Sequence, residues 1–545
     1  MKTECIGCRG PDSNIIQIGP ELTEHDVTSE EFRKYSFFSS YGVKNLWILP
    51  FFGNMFKISI NREHFTGPSN ELRKRYPRER FVGQYIFTQP EVVLQDLTLI
   101  KKVTLKDFNH FHDRKSISNE DVEPFFAKNL FNLRGHEWQD MRSTLSPAFA
   151  ASKIKPMIPF MEDVGKQATD ELLDMISKST TGSIEVDVKD LTLRIANDVI
   201  ASCVFGLNVN SVKDKDNEFY KMGKMAATSK WFHIVICVLT AIFPFLAKVY
   251  DMKALSRKSR EYFTSLVLGA MKDREANRIV REDMIHLLME ARKGRLTHDS
   301  KIVGDRKEFG FATVPESPYG RKTVSRAWSP IDIVSQAVMF LISGYETISI
   351  TLSFALHELA LNPEIQERLV REIKQHHTRN GGRITFRSIQ NMTYLDMVVS
   401  ETLRLWPSYV QLGRMCIKDY NMGKPNPRAP RDLVLRRGDV LTIPVLCIHR
   451  DPKLFPNPEK FDPERFSEEN KNNFNTAAYM PFGVGPRNCI GSRFALCEIK
   501  VLLCQLLLGI EVSTSKKTCV SSKLSTKTFG LQLKDGHWLM LKARP

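Results

Sequence analysis

A chain of 545 residues lies far above the size at which a hydrophobic core becomes marginal, and its 42% hydrophobic and 26% charged residues are those of an ordered globular protein, which excludes a disordered or fibrous one. A formal charge of +16 suits an anionic membrane surface, an acidic partner or nucleic acid. The basic residues are dispersed, with no run longer than pieces such as Arg73-Lys74-Arg75 and no nucleic-acid motif, so nucleic acid is set aside.

Residues 1–40 hold no apolar run, signal peptide or lipidation motif, and Glu21 to Lys34 are too charged to enter hydrocarbon. Cys5-Ile6-Gly7-Cys8 is a lone CxxC without the second half that a zinc site needs; the ten unevenly spaced cysteines read as mostly reduced thiols. Phe81 to Phe87 is a strand candidate bounded by turn residues. Phe160 to Ile176 and Leu191 to Cys203 carry apolar residues at spacings of three and four, which predicts helices. Trp231 to Ala247 is the most apolar stretch, about 17 residues and so at the lower limit of a membrane span. His233 and Pro244 within it weaken that reading, and the alternatives are a buried helix and a segment lying in the membrane interface.

From about Leu296 to Ala327 the chain is rich in Gly, Pro, Ser and charge, which predicts a surface connection. A sharp helix start follows, with Ser329 as N-cap, Pro330 at the first helical position and Asp332 three residues after the cap. This helix should run to Asn362-Pro363, much longer than the usual 11 to 12 or so residues, and its middle carries the polar patch Gly344-Tyr345-Glu346-Thr347. Asp432 to Val434 and Trp538 to Leu541 read as short edge strands. The class is mainly α with small β-sheets.

The run Pro481-Phe482-Gly483-Val484-Gly485-Pro486-Arg487-Asn488-Cys489-Ile490-Gly491 is the most informative in the chain. Its glycines let the backbone turn tightly and approach a flat ligand while presenting the Cys489 sulfur. Backbone N–H groups of such a loop can hydrogen-bond a thiolate, and Arg487 is placed to meet a carboxylate beside the ligand. Taken alone, the run equally describes a Gly-rich turn with a buried, inert cysteine.

The run resembles the haem-binding loop of cytochromes P450, and further parts of that family's pattern are present in order. Glu401-Thr402-Leu403-Arg404 resembles its ExxR helix, and Phe461-Asp462-Pro463-Glu464-Arg465-Phe466 its PERF segment. Glu and Arg at i and i+3 share a helix face, so Glu401 can pair with Arg404 and accept a further bond from Arg465; the resemblance implies a buried triad. Trp138-Gln139-Asp140-Met141-Arg142 resembles WxxxR, whose indole and guanidinium bond the haem propionates. Arg414 and Arg114 fall where related enzymes also contact propionates, with Lys115 as an alternative to Arg114, and Phe482 is implied as a further cofactor contact.

Ser343-Gly344-Tyr345-Glu346-Thr347 resembles the family's oxygen-activation motif, with Ser343 where Ala is common. There Gly344 would tolerate a local widening of the helix, Thr347 would donate a hydrogen bond to the oxygen being activated, and Glu346 would feed protons through water. The structural alternative for Thr347 is a back-bond to the carbonyl four residues earlier. Gly310 to Ser317, GFATVPES, is similar to a stretch in one branch of the insect microsomal, detoxifying P450s.

The resemblance runs from about Tyr41 to the C-terminus and implies the cytochrome P450 fold: an atypical segment 1–40 without a membrane anchor, then a single domain, 41–545, with a surface insert at about 296–327. It implies haem b (iron protoporphyrin IX) with Cys489 as the iron ligand, and Thr347 and Glu346 as catalytic residues. The implied reaction inserts one atom of O2 into a lipophilic substrate with electrons from NADPH-cytochrome P450 reductase, cytochrome b5 being an additional partner. Reductase would dock near Arg134, Lys153, Lys155 and Arg493. The alternatives are a P450 that rearranges peroxides without reductase, against which Glu346-Thr347 counts, and a non-catalytic haem or lipophile binder. Pocket candidates lie around Phe125, Phe126, Leu239 to Phe245, Val338 to Ile342 and Phe529 to Leu531. Trp47 to Gly53 looks like the hinge that precedes the catalytic domain. Attachment to the cytosolic face of the endoplasmic reticulum membrane is then expected through Trp231 to Ala247.

Overall fold

A computed structural model describes residues 36–115, 124–227, 255–296, 310–317, 319, 328–470, 473–520, 523–528 and 530–545. The expected interfacial segment Trp231 to Ala247 lies outside the described residues, as do residues 1–35 and Phe529. The longer helices are α1 (Gly135–Leu145), α2 (Ile158–Ser177), α3 (Val188–Ile200), α4 (Glu218–Ala227), α5 (Arg257–Asn277), α6 (Met284–Arg292), α7 (Pro330–Leu361), α8 (Pro363–Arg379), α9 (Thr393–Leu405) and α10 (Ser492–Gly509). The strands are β1 (Phe81–Ile86), β2 (Gln89–Leu94), β3 (Ser183–Asp187), β4 (Leu412–Met415), β5 (Tyr420–Gly423), β6 (Leu433–Leu435), β7 (Val440–Ile443), β8 (Ile510–Thr514) and β9 (Trp538–Ala543). They form three small sheets, ordered β1-β2-β7-β4, β3-β9-β8 and β5-β6.

The predicted start of α7 is present in full. Ser329 Oγ accepts from Asp332 N, Asp332 Oδ2 accepts from Ser329 N, and Pro330 occupies the first turn, where its missing N–H removes no helical bond. The helix then runs 32 residues and is apolar on most sides, so it serves as the central core element. It is the one described helix long and apolar enough to cross a bilayer, yet it is mostly buried inside the fold. Its main neighbour is α3, whose apolar face includes Val188, Leu191, Ile195 and Val199.

The α-helical pattern of α7 continues unbroken through Gly344, so the widening expected there is not found. A Cβ on Gly344 would lie 2.5 Å from Ile200 Cδ1, and the glycine serves close packing of α7 on α3.

Residues 310–317 also depart from expectation. They belong to a stretch whose polar composition predicts a surface connection, yet Ala312, Thr313 and Ser317 are buried. The reason is Phe311, whose ring packs among Phe466, Phe474 and Tyr479 and draws the chain down onto the body of the fold.

Candidate functional site

The Cys489 loop is shaped by two left-handed glycines, Gly483 (φ +80°) and Gly485 (φ +77°). A Cβ on Gly485 would stand 2.0 Å from Thr104 O, so no larger residue fits without displacing that backbone. The loop is closed by Cys489 N donating to Phe482 O (2.9 Å) and Asn488 N donating to Gly485 O (3.0 Å). Phe482 itself packs against the main core. Cys489 exposes surface, yet burial is the largest influence on its thiol and holds its pKa above the ordinary value, against a Gly491 backbone hydrogen bond and Arg142 and Arg114, which pull it down. Cys497 is by contrast buried within α10.

Four guanidinium groups gather beside Cys489. Arg142 donates through Nη1 and Nη2 to Asn488 O and Oδ1, both at 2.8 Å. Arg487 donates to Phe131 O and Leu133 O and lies 4.3 Å over the Trp138 ring. Arg114 donates to Arg487 O and lies over Phe131. Arg414, on β4, donates to Gly413 O and Val484 O. Lys115 is exposed, which leaves Arg114 as the member of that pair in the cluster. Burial first, and the neighbouring Arg114 second, lower the pKa of Arg414 to about 9, while burial and Arg114 lower that of Arg142 to about 10 against the pull of Cys489. Arg142 Nε, Arg414 Nε and Arg487 Nη1 are buried without a hydrogen-bond partner. Buried cations with spare donors fit an anionic, carboxylate-bearing ligand. Among the described residues no group of three or more His, Cys, Asp and Glu could hold a bare metal ion. Cys489 with the spare guanidinium donors beside it fits haem with its two propionates.

The facing wall comes from α7. Residues 332–338 and 348–360 of this helix are buried, but Met339, Phe340, Ile342, Ser343, Gly344, Glu346 and Thr347 between them keep accessible surface. Thr347 O accepts from Ser408 Oγ at 2.9 Å, and the adjacent Tyr409, 47% exposed by area, feels the charges of Arg114 and Cys489. Phe149 bridges α7 and the Cys489 loop, its ring 5.4 Å from that of Phe340 and 3.5 Å from where a Cβ on Gly491 would stand.

Thr347 Oγ1 donates to Ser343 O at 2.5 Å, the back-bond that its mid-helix position predicts. Glu346 Oε1 accepts from Lys189 Nζ (3.2 Å), a buried lysine on α3 that also donates to Ser349 Oγ (2.5 Å). Desolvation lowers the Lys189 pKa, with Glu346 opposing it. Lys189 was not singled out by sequence, although a lysine one residue inside an apolar helix face is a visible anomaly.

The expected core pair is present and fully buried. Arg404 Nε donates to Glu401 Oε2 (2.6 Å) and Nη2 to Glu401 Oε1 (2.9 Å), both residues being 0% exposed. Arg465 joins as an ion pair at 3.6 Å without a hydrogen bond from Nε, and Asp462 N donates to Glu401 Oε1 at 2.9 Å. Arg404 also donates to His449 O; His449 Nδ1 lies 3.0 Å from Arg404 O, and its Nε2 accepts from Met480 N at 2.9 Å. This places the proton on Nδ1, and burial drives the ring's pKa down to about 3, which keeps it neutral. His449, unremarked in the sequence, thus ties α9 to the start of the Cys489 loop.

The cytochrome P450 family profile matches residues 45–315 and 318–540. The chain is similar to cytochrome P450 9e2 of Blattella germanica, 41% identical over 521 residues and covering 94% of each chain. It is 38% identical over 516 residues to probable cytochrome P450 9f2 of Drosophila melanogaster, covering 93% of this chain and 95% of the relative. Cytochrome P450 6k1 of Blattella germanica is 34% identical over 505 residues, with 92% of each chain covered.

Proposed function

The chain belongs to the cytochrome P450 family and is a haem-thiolate monooxygenase, and from that membership we propose that it oxygenates a lipophilic substrate with electrons from NADPH-cytochrome P450 reductase, with cytochrome b5 as an additional partner. The observation that carries the substrate class is the accessible middle of α7. Phe340 and Ile342 there, with Phe125, Phe126 and Ile490, are apolar side chains left partly uncovered on the edge of the main core. Such a lining retains an apolar molecule and excludes water from it.

When bound, haem supplies the redox chemistry that activates O2. Cys489 is the proposed iron ligand, and Trp138 with Arg114, Arg142, Arg414 and Arg487 would hold the propionates, the last three through the buried donors they have to spare. Phe482 would pack beside the ring. Thr347 turns its hydroxyl hydrogen toward the site only by giving up Ser343 O, which rotation of the O–H allows without a change of side-chain rotamer. Glu346 would hold a proton at a carboxylate oxygen, with Lys189 fixing where that oxygen sits. Intact Glu346 and Thr347 favour the monooxygenase over a reductase-independent rearrangement of peroxides, in which proton delivery is unnecessary.

Reductase would meet the basic side chains on the outer side of the Cys489 loop, among them the exposed Arg134 and Lys155. Association with the endoplasmic reticulum membrane would leave this surface in the cytosol.

The test is turnover of a lipophilic probe substrate by purified holoenzyme with NADPH and reductase, each omitted in turn. Product that requires both supports the proposal. Product from an organic hydroperoxide alone, with none from NADPH and reductase, overturns it. Cys489→Ser should abolish the reduced-CO band characteristic of a thiolate-ligated haem, and its survival would remove Cys489 as the ligand.

A further inference from the structure

Residues 310–317 cross the outer side of the Cys489 loop, and three separate attachments hold them there. Gly310 takes φ +110°, and a Cβ on it would lie 1.8 Å from Asp396 Oδ1, so the backbone runs directly against the first turn of α9. Asp396 Oδ2 accepts from Phe311 N at 2.8 Å, the first attachment. The second is the Phe311 ring, with centroids 4.9 Å from Phe466 and 5.5 Å from Tyr479. The third is made at the loop itself, where Asn488 Nδ2 donates to Pro315 O at 2.7 Å.

Asn488 is the residue before Cys489, and its remaining acceptors, O and Oδ1, are both taken by Arg142. The side chain is held from two directions, by Arg142 on α1 and by the crossing segment. Val314, Pro315 and Glu316 then form one wall of a cleft that touches Cys489 and has a volume of only about 20 Å³, space for about one water. Beyond it, the Tyr319 ring packs 5.7 Å from Trp138 and its hydroxyl donates to Asn109 Oδ1.

We propose that residues 310–317 are a strap that positions the thiolate ligand: through Pro315 and Asn488 they fix the Cys489 backbone, and through Val314 to Glu316 they keep bulk water from the outer side of its sulfur. The proposal rests on Cys489 being the iron ligand. A thiolate that gains hydrogen bonds from water donates less electron density, and one that is protonated no longer ligates. A loop held on one side by Arg142 alone would open to both. Nothing in the strap touches the reacting atoms, so Phe311, Pro315 and Asn488 are positioning residues.

The experiment compares two truncations in the same aromatic cluster using holoenzyme. Phe311→Ala removes the strap's anchor, whereas Phe474→Ala removes a neighbouring ring, 6.1 Å from Phe311, that is not part of the strap. Each reduced-CO complex is followed as its thiolate-type band decays, at urea concentrations that place both variants equally far below their unfolding midpoints. The expected result is band loss at least roughly tenfold faster in Phe311→Ala than in Phe474→Ala, with Phe311→Tyr restoring the parental rate and the haem reduction potential of Phe311→Ala raised. Equal rates in the two Ala variants, with equal potentials, would reduce the strap to ordinary packing and overturn the proposal. Phe311→Leu, a smaller truncation, carries the same comparison if Phe311→Ala accumulates no holoenzyme. A different ligand would instead show itself in the parent protein, which would then lack the thiolate-type band altogether.

Discussion

Arg404→Ala should remove a buried cation from Glu401, a fully buried carboxylate. Two charge-assisted hydrogen bonds to Glu401, at 2.6 and 2.9 Å, disappear together with the 2.8 Å bond to His449 O. Glu401, at 0% exposure, keeps Asp462 N at 2.9 Å and the Arg465 charge at 3.6 Å, so its carboxylate is left under-compensated but not isolated. Breaking a buried pair on one side costs about 3–5 kcal/mol, and the surviving partners of Glu401 place this case near about 4. Against a total stability of about 5–15 kcal/mol, that loss leaves little native protein at the temperature of expression. Losing the Arg404 side chain also leaves His449 O without its donor, and because His449 Nε2 accepts from Met480 N at the start of the Cys489 loop, haem retention should fall with stability. The assay is urea unfolding of purified protein alongside haem content per chain. The double variant Glu401→Leu/Arg404→Met, which removes both charges, should recover a large part of the loss, because desolvating the pair costs about as much as pairing returns. A loss of under about 1 kcal/mol in Arg404→Ala would equal that of a solvated surface pair and refute the reasoning.

Thr347→Ala gives up only a back-bond to Ser343 O, so folding and substrate binding should be nearly unchanged, while product formed per NADPH falls at least about tenfold and hydrogen peroxide rises; unchanged coupling would mean that another group delivers the proton. Glu498 is 0% exposed with both oxygens unpartnered, and burial pushes its pKa well above the ordinary 4.5. Its native form is therefore the protonated one. The unfolded chain loses that proton above about 4.5, so the native state loses stability as pH rises from there toward the raised folded value, by up to about 1.4 kcal/mol per pH unit. Glu498→Gln should flatten the decline of the unfolding temperature between about pH 5 and pH 8, and parallel curves for parent and variant would contradict the assignment. Reduction by reductase should slow as ionic strength rises, since exposed cations such as Arg134 and Lys155 guide encounter over about 10 Å in dilute salt; a rate indifferent to salt would remove charge from the docking step.

What the sequence disclosed and what it concealed divide by distance along the chain. Ser329, Pro330 and Asp332 sit within one turn, so their rule is local and the start of α7 could be placed to the residue. The Glu401–Arg404 pair is likewise an i, i+3 relation on one helix. Gly344 is the opposite case. Its motif suggests a role in helix geometry, yet its neighbour is Ile200 on α3, and only tertiary packing decides which use of a missing Cβ applies. Composition misleads for residues 310–317 for the same reason. Gly, Pro, Ser and Glu mark a turn-rich stretch, and one aromatic ring, Phe311, finding a cluster assembled from residues near 470 is enough to bury it.

The patch Ser343 to Thr347 shows how local and distant information combine at one site. In sequence Glu346 and Thr347 are neighbours, and a shared proton path is the natural reading. On a helix adjacent residues point about 100° apart, and the contacts follow that separation: Thr347 bonds its own helix beside Ser408, while Glu346 meets Lys189 on α3. Because Lys189 is 6% exposed and held by Ser349, Glu346 cannot move away from it without leaving a cation without its counter-ion in the core. Glu346 is therefore the fixed end of any relay that includes both residues, and Thr347, tethered by a single hydroxyl bond to its own turn, is the end that can move.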